Sequence, residues 1–331
     1  MNKKHISKKN GILLFILAGV IMAAVIIFHH NPRADQSEEI VKKIIACIVI
    51  AASCGIFTFF YDKITVLPIE LYQNRRLIWK LAKNDFKKRY AGSYLGKVWA
   101  MVQPVVTVVM YWFVFEKVFG NRSELLAEGL EVPYVLYLTA GLVPWFFFSE
   151  GLTNGTMALL EYNYLVKKVV FKISILPIVK VIAATFIHFF FLGILLLLSV
   201  AYGYYPTVYT LQVLYYSLCA FLFVLALSYS TCAIVVFFRD LQQIINIALQ
   251  IGMWATPIMW SITRVGDEYR KLFKLNPVTY IVLGYRSAIF EKEWFFEHFY
   301  STTYFWIVTV LLFVIGAILF KRLKVHFADV M

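Results

Sequence analysis

The chain alternates between apolar runs of membrane length and short polar connections. The apolar runs are Gly11–Phe28, Ile44–Tyr61, Val98–Phe115, Pro133–Glu150, Ile178–Tyr202, Thr210–Phe238, Leu241–Ser261 and Tyr304–Phe320. Each approaches the roughly 20 residues a helix needs to cross a hydrocarbon core about 30 Å thick. The pattern predicts an all-α polytopic membrane protein with about eight transmembrane helices and no soluble domain. The first two runs read as a hairpin within residues 1–65. His29-His30-Asn31-Pro32 follows the first run where a signal peptide would need a small-x-small site, so an uncleaved span is expected.

A different period appears between residues 77 and 90. Ile78, Ala82, Phe86 and Tyr90 recur every four residues, with Leu81 beside them, while Lys80, Lys83 and Lys87 occupy the other side. This is the repeat of a helix with one oily and one cationic face, suited to the membrane interface. Ala91-Gly92-Ser93 breaks it before the third span begins at Val98. Such a helix either braces the first core span or docks a cytoplasmic partner.

Composition sharpens the picture. Of 331 residues, 61% are apolar, and mean hydropathy is +0.73, well beyond a soluble domain. Net charge is +13, and Lys and Arg divide roughly two to one in favour of the connections assigned inside. The basic balance therefore follows the positive-inside rule rather than nucleic-acid binding, and an even number of spans places both termini in the cytoplasm. Cys47, Cys54, Cys219 and Cys232 all lie in apolar runs without zinc-like spacing and read as packing residues.

Several smaller groups carry candidate chemistry. The sequence from Arg239 through Asp240 to Gln243 has capping-box spacing at the start of the seventh predicted span. His188 is a lone ionisable group inside the fifth span, with either a proton-relay role or a packed, hydrogen-bonded one. Tyr111, Trp112 and Phe115 cluster on the third span and suit either an interfacial belt or a pathway that stacks on sugar faces. Asn276-Pro277 breaks the backbone, and the apolar residues from Val278 to Phe290 are too few to span, which fits a re-entrant pair or a lid on the membrane. The chain has no G-x-x-x-x-G-K-[ST], H-E-x-x-H or G-x-S-x-G run.

The stretch LAKNDFKKRYAGSYLGKVWAMVQP resembles the opening signature of permease subunits of type-2 ABC exporters, in the branch that exports O-antigen, teichoic acid and other surface glycans. The resemblance continues through GLVPWFFFSEGL, YLVKKVVF, VFFRDLQQI, LQIGMWATPIMWS, LNPVTYIVLGYRSAIF and FKRLKVHFADVM. It covers roughly residues 70–331 in order and leaves the first hairpin outside. Where relatives carry a Pro-Arg-Glu-like run after Val-Val-Phe, this chain has Lys172-Ile173-Ser174.

The resemblance implies an accessory hairpin over 1–65 and a permease domain over 66–331, whose six spans form the core, with an amphipathic interface helix and re-entrant outer gate helices. It implies a transmembrane subunit of an ATP-driven exporter, not itself an enzyme, moving a lipid-linked surface glycan across a bacterial plasma membrane. The implied partners are a second copy of the chain, two copies of an ABC ATPase that binds ATP and Mg, membrane lipids and the glycan, with no nucleic acid. ATPase coupling falls on Glu161, Tyr162, Asn163, Leu165 and Lys167, and the interface helix with a lipid-phosphate entry on Phe86, Lys88, Arg89 and Tyr90. A glycan pathway would use Tyr111, Trp112 and Phe115, and an outer gate Asn276, Pro277, Tyr280 and Tyr285. A permease of the same fold for a lipid or small drug is the alternative, followed by a membrane glycosyl- or acyltransferase.

Overall fold

The structure, a computed structural model, describes residues 8–28, 36–59, 61, 65–89, 96–120, 123–126, 129–166 and 172–330. It divides into two compact units, residues 1–73 and 74–331.

In the first unit, α1 (Lys8–Phe28) and α2 (Gln36–Phe59) pair along their apolar faces, followed by the short α3 (Val66–Gln73). Phe15 stacks on Phe57 at 3.9 Å. A Cβ at Gly19 would lie 2.8 Å from the Cys54 sulfur, so glycine is what lets the two helices approach there.

The second unit opens with α4 (Arg75–Arg89), which buries Ile78, Ala82 and Asp85 and exposes Lys80, Lys83 and Lys87. The oily face of the sequence pattern is therefore present at Ile78 and Ala82, but a carboxylate shares it. α5 (Trp99–Trp112) continues as a π-helical turn over Phe113–Val118. The acidic connection that follows forms a two-stranded antiparallel hairpin, β1 (Ser123–Leu125) with β2 (Glu131–Pro133), Glu124 opposite Val132.

Next come α6 (Tyr134–Thr156), the short α7 (Ala158–Glu161) and α8 (Asn163–Val166), then α9 (Leu176–Ala201) and α10 (Gln212–Val235). α6 is the central helix, with 78% of its apolar stretch buried, because α9 and α10 pack along it. The turn before α9 is a 3₁₀ segment over Ile173–Ile175, held by the Tyr229 hydroxyl donating to the Ser174 carbonyl at 2.9 Å. α11 (Leu241–Ala255), α12 (Asp267–Lys274), α13 (Pro277–Arg286), α14 (Phe299–Leu323) and α15 (Phe327–Val330) complete the chain.

Among the described residues, seven helices are long and apolar enough to span a membrane, against about eight expected. The difference is α11. The apolar run reaches Ser261, but the helix stops at Ala255, before Thr256-Pro257. Proline has no N–H to donate and pushes its predecessor out of the helical region, and Thr256 is extended at ψ 136°. Fifteen residues of helix reach about 22 Å, short of the roughly 30 Å core. The capping box expected at Asp240 also fails to form, since Asp240 occupies the cap position but its side chain bonds no helix N–H.

The bundle thus has two distinct ends. The β-hairpin leads into the start of α6 at Tyr134, and α7 and α8 follow its other end at Thr156, where α9 and α10 also contact α7.

Candidate functional site

At the loop end, residues from three elements meet around Lys180. Its ammonium lies 2.6 Å from Asp85 Oδ1 of α4 and 2.5 Å from Glu161 Oε2 of α7. Tyr162 donates to the same Asp85 oxygen at 2.9 Å and offers its ring to the ammonium at 5.1 Å. Lys180 is 3% exposed and Asp85 9%, whereas Glu161 is 48% exposed. Those exposures separate the two arms. The exposed Glu161 arm is worth at most about 1 kcal/mol. Removing one partner of the buried Asp85–Lys180 arm costs roughly 3–5 kcal/mol, because a charge is then left in the interior. Burial, reinforced by the Asp85 carboxylate, raises the Tyr162 phenol above its ordinary range, so Tyr162 stays a proton donor at neutral pH.

Glu161 and Tyr162 are thus brought together with the helix that carries Phe86 and Lys88. Phe86 and Trp79 both pack on Phe186 of α9, at 5.7 and 5.4 Å. Lys88 is exposed. Arg89 closes α4, and Tyr90 and Lys167 lie outside the described residues. Asn163 and Leu165 are half-buried on α8. Asn163 also lines an open cleft of about 350 Å³ with Met157, Leu160, Arg239 and Gln242.

Tyr111, Trp112 and Phe115 are each half-buried. Trp112 donates to Glu116 at 2.6 Å and lies under Lys117, while Phe115 packs on Tyr134 at 5.6 Å. The Trp112 contacts are local to the helix and its π turn, and the Phe115 contact reaches α6.

At the hairpin end, Asn276 caps α13 by accepting from the Val278 N–H at 3.0 Å, with Pro277 in the first turn. Tyr280 shares hydroxyl contacts with Tyr215 of α10 and Thr302 of α14. Tyr285 meets Ser217 of α10 at 2.6 Å and His188 of α9 at 3.0 Å. His188 therefore sits in a buried hydroxyl cluster, with Ser217 also 3.0 Å from its Nε2. Tyr285 lies 97 positions along the chain from His188.

Sequence reasoning passed over three residues that the structure puts at the centre. Asp85 and Lys180 form the loop-end pair. Arg286, the last residue of α13, is fully buried. Its guanidinium donates from Nε and Nη2 to the Tyr137 carbonyl, from Nη1 to the Tyr137 hydroxyl and the Pro257 carbonyl, and from Nη2 to the Ile258 carbonyl. A signal for Asp85 existed, three residues beyond Ala82 on the apolar face. Lys180 and Arg286 each lie within otherwise apolar stretches, where an ionisable group marks a functional position by default.

Comparison with known proteins places this architecture. The chain is 31% identical over 226 residues to the O-antigen export system permease protein RfbA of Myxococcus xanthus, covering 68% of this chain and 84% of that protein. It is 24% identical over 259 residues to an RfbA permease of Klebsiella pneumoniae, covering 77% of this chain and 95% of that protein. A second Klebsiella pneumoniae RfbA matches at 23% over the same shares. The ABC-2 type transporter family matches residues 76–290, which run from the start of α4 past Arg286, and the chain belongs to that family.

Proposed function

We propose that this chain is the transmembrane subunit of a polysaccharide exporter, working with a separate ATP-hydrolysing subunit. The observation that carries the mechanism is the Asp85–Lys180–Glu161–Tyr162 network. It ties α4 and the α7–α8 loop to the first turns of α9, so a push on the loop is delivered to a membrane helix through a buried charge pair. In this reading the loop end faces the cytoplasm, both termini lie there, and the ATPase docks under α4, α7 and α8. Leu165, Asn163 and Lys167 contact the ATPase, and Glu161 and Tyr162 relay its movement.

The working assembly is a homodimer with two ATPases that bind ATP and Mg. Its substrate is a lipid-linked glycan in the plasma membrane. Lys88 and Arg89 at the end of α4 attract the lipid pyrophosphate. Tyr111, Trp112 and Phe115 border the glycan's route, and Asn276, Pro277, Tyr280 and Tyr285 build the outer gate. Residues 1–65 are an accessory hairpin.

The test is co-expression with an ABC ATPase subunit from the same genome, purification, and ATP hydrolysis. A stable complex whose hydrolysis changes on Leu165→Ala or Tyr162→Ala supports the reading. A chain that never retains an ATPase sinks it. Charge reversal at Lys88 and Arg89 tests the phosphate role separately: unchanged export in an intact complex removes it.

A further inference from the structure

Four successive backbone carbonyls, of Pro257, Ile258, Met259 and Trp260, are each taken by a side chain from another element. Arg286 of α13 donates to the first two at 2.6 and 2.8 Å. The Tyr134 and Tyr137 hydroxyls of α6 donate to the last two at 2.9 and 2.8 Å. This is the stretch in which α11 has already ended. Irregular backbone in a membrane protein persists only where protein or water satisfies its polar groups, so the segment keeps this shape only while α6 and α13 hold it. The guanidinium lies 3.5 Å from the Tyr137 ring centroid. Gly141 makes room for it, since a Cβ there would sit 2.7 Å from Nη2 and 3.3 Å from the Ile258 Cα.

The element tethered in this way is loosely built. Within the chain, α11 buries only Ile245 and exposes Ile244, Ile247, Ile251 and Trp254. By contrast α13 is anchored on its other side through Tyr280 and Tyr285 to α9, α10 and α14. Within the chain, α11 is therefore the less restrained element and α6 with α13 the better-packed wall beside it.

We propose that Arg286 is a positioning residue for export that keeps the outer mouth closed between cycles, by clasping the 257–260 segment and the end of α11 to α6. Opening releases the segment from the guanidinium and the two tyrosines. The acceptors suit release. The freed carbonyls can bind water once the path hydrates, and the guanidinium keeps the Tyr137 carbonyl as an acceptor. This inference rests on the exporter reading with the hairpin end outside.

The test is an ATP-free leak assay. The full chain with its ATPase is reconstituted into vesicles of phosphatidylethanolamine and phosphatidylglycerol loaded with labelled sucrose. Arg286→Lys keeps the charge but cannot reach both carbonyls and Tyr137 together. It is expected to assemble, to melt near the wild-type temperature, to hydrolyse ATP, and to release sucrose about tenfold faster, the shift expected for losing one net charge-assisted hydrogen bond from a closed state. Tyr137→Phe, which frees the Trp260 carbonyl and one guanidinium donor, is expected to leak less than Arg286→Lys and more than wild type. An assembled Arg286→Lys or Tyr137→Phe complex with wild-type retention of sucrose overturns the proposal. So does failure of both variants to assemble, which would make the clasp a folding element only. Because the assay uses neither ATP nor glycan, its outcome is separate from that of the exporter reading, which fails when wild-type complex does not move glycan with ATP.

Discussion

Among the described residues each end of the bundle holds one buried cation, and the two are satisfied in opposite ways. Lys180 meets carboxylates, Asp85 and Glu161. Arg286 meets carbonyl oxygens and a phenol hydroxyl. The difference sets what each contact can do mechanically. Pulling Lys180 from Asp85 separates opposite charges in a poor solvent, which resists independent movement of α4 and α9. Pulling the 257–260 segment from Arg286 exposes dipoles that water can cover. In the proposed mechanism the first contact transmits motion, and the second yields to it.

The largest effect separates the two ends. Lys180→Met removes one partner of the buried Asp85–Lys180 pair and is expected to cost about 3–5 kcal/mol, a large share of a typical 5–15 kcal/mol stability. Little folded protein should survive extraction. Adding Asp85→Asn should restore most of the loss, as read from the melting temperature of the double variant against each single. Arg286→Met should cost less, roughly 1–3 kcal/mol, because the freed carbonyls hydrate. If Arg286→Met proves the more damaging, or the double variant shows no recovery, the contrast between the ends collapses.

How much of this was legible follows from how local each feature is. Span positions were readable, because an apolar run is a property of consecutive residues. The break in α11 was readable too, from Thr256-Pro257, yet averaged hydropathy over 241–261 hides it. α13 began where Asn276-Pro277 said it would. The networks were not legible. Asp85 meets Tyr162 and Lys180 across separations of 77 and 95 residues, and Arg286 meets Tyr137 across 149. Nothing in a single sequence pairs residues so far apart. The Asp240 cap shows the opposite failure: the spacing was right and local, but the side chain does not make the cap bond. The β-hairpin before α6 was not legible, because a three-residue strand is too short to show alternation.

A smaller perturbation tests transmission without breaking the pair. Tyr162→Phe keeps the ring over Lys180 and removes only the hydroxyl bond to Asp85. The stability cost should be about 1 kcal/mol. The Asp85–Lys180 contact remains, so ATPase assembly should be unaffected while glycan exported per ATP falls. Glu161→Gln should cost less than Tyr162→Phe, since its arm is half exposed. Equal loss of hydrolysis and export in Tyr162→Phe would mean that the hydroxyl supports folding and has no part in coupling.

The smallest effect belongs to the β-hairpin beside the Arg286 end. Glu124 is buried, pairs with Arg264 at 2.8 Å, and accepts a second bond from the same guanidinium at 3.1 Å. Burial raises its carboxyl above the ordinary value of 4.5, against the pull of Arg264 and Arg286. The sign follows from proton counts. Between the unfolded value and the raised folded one, the folded chain holds a proton that the unfolded chain has released, so stability falls as pH rises through that window. Below it both forms are protonated and the slope vanishes. Above it the full penalty of a buried carboxylate applies. Glu124→Gln removes the titration, so its melting temperature should rise relative to wild type as pH climbs from about 4.5, by a few degrees at most. A wild-type slope of the opposite sign would mean that Arg264 and Arg286 together outweigh desolvation. The hairpin end would then hold its charges by ion pairing, as the loop end does.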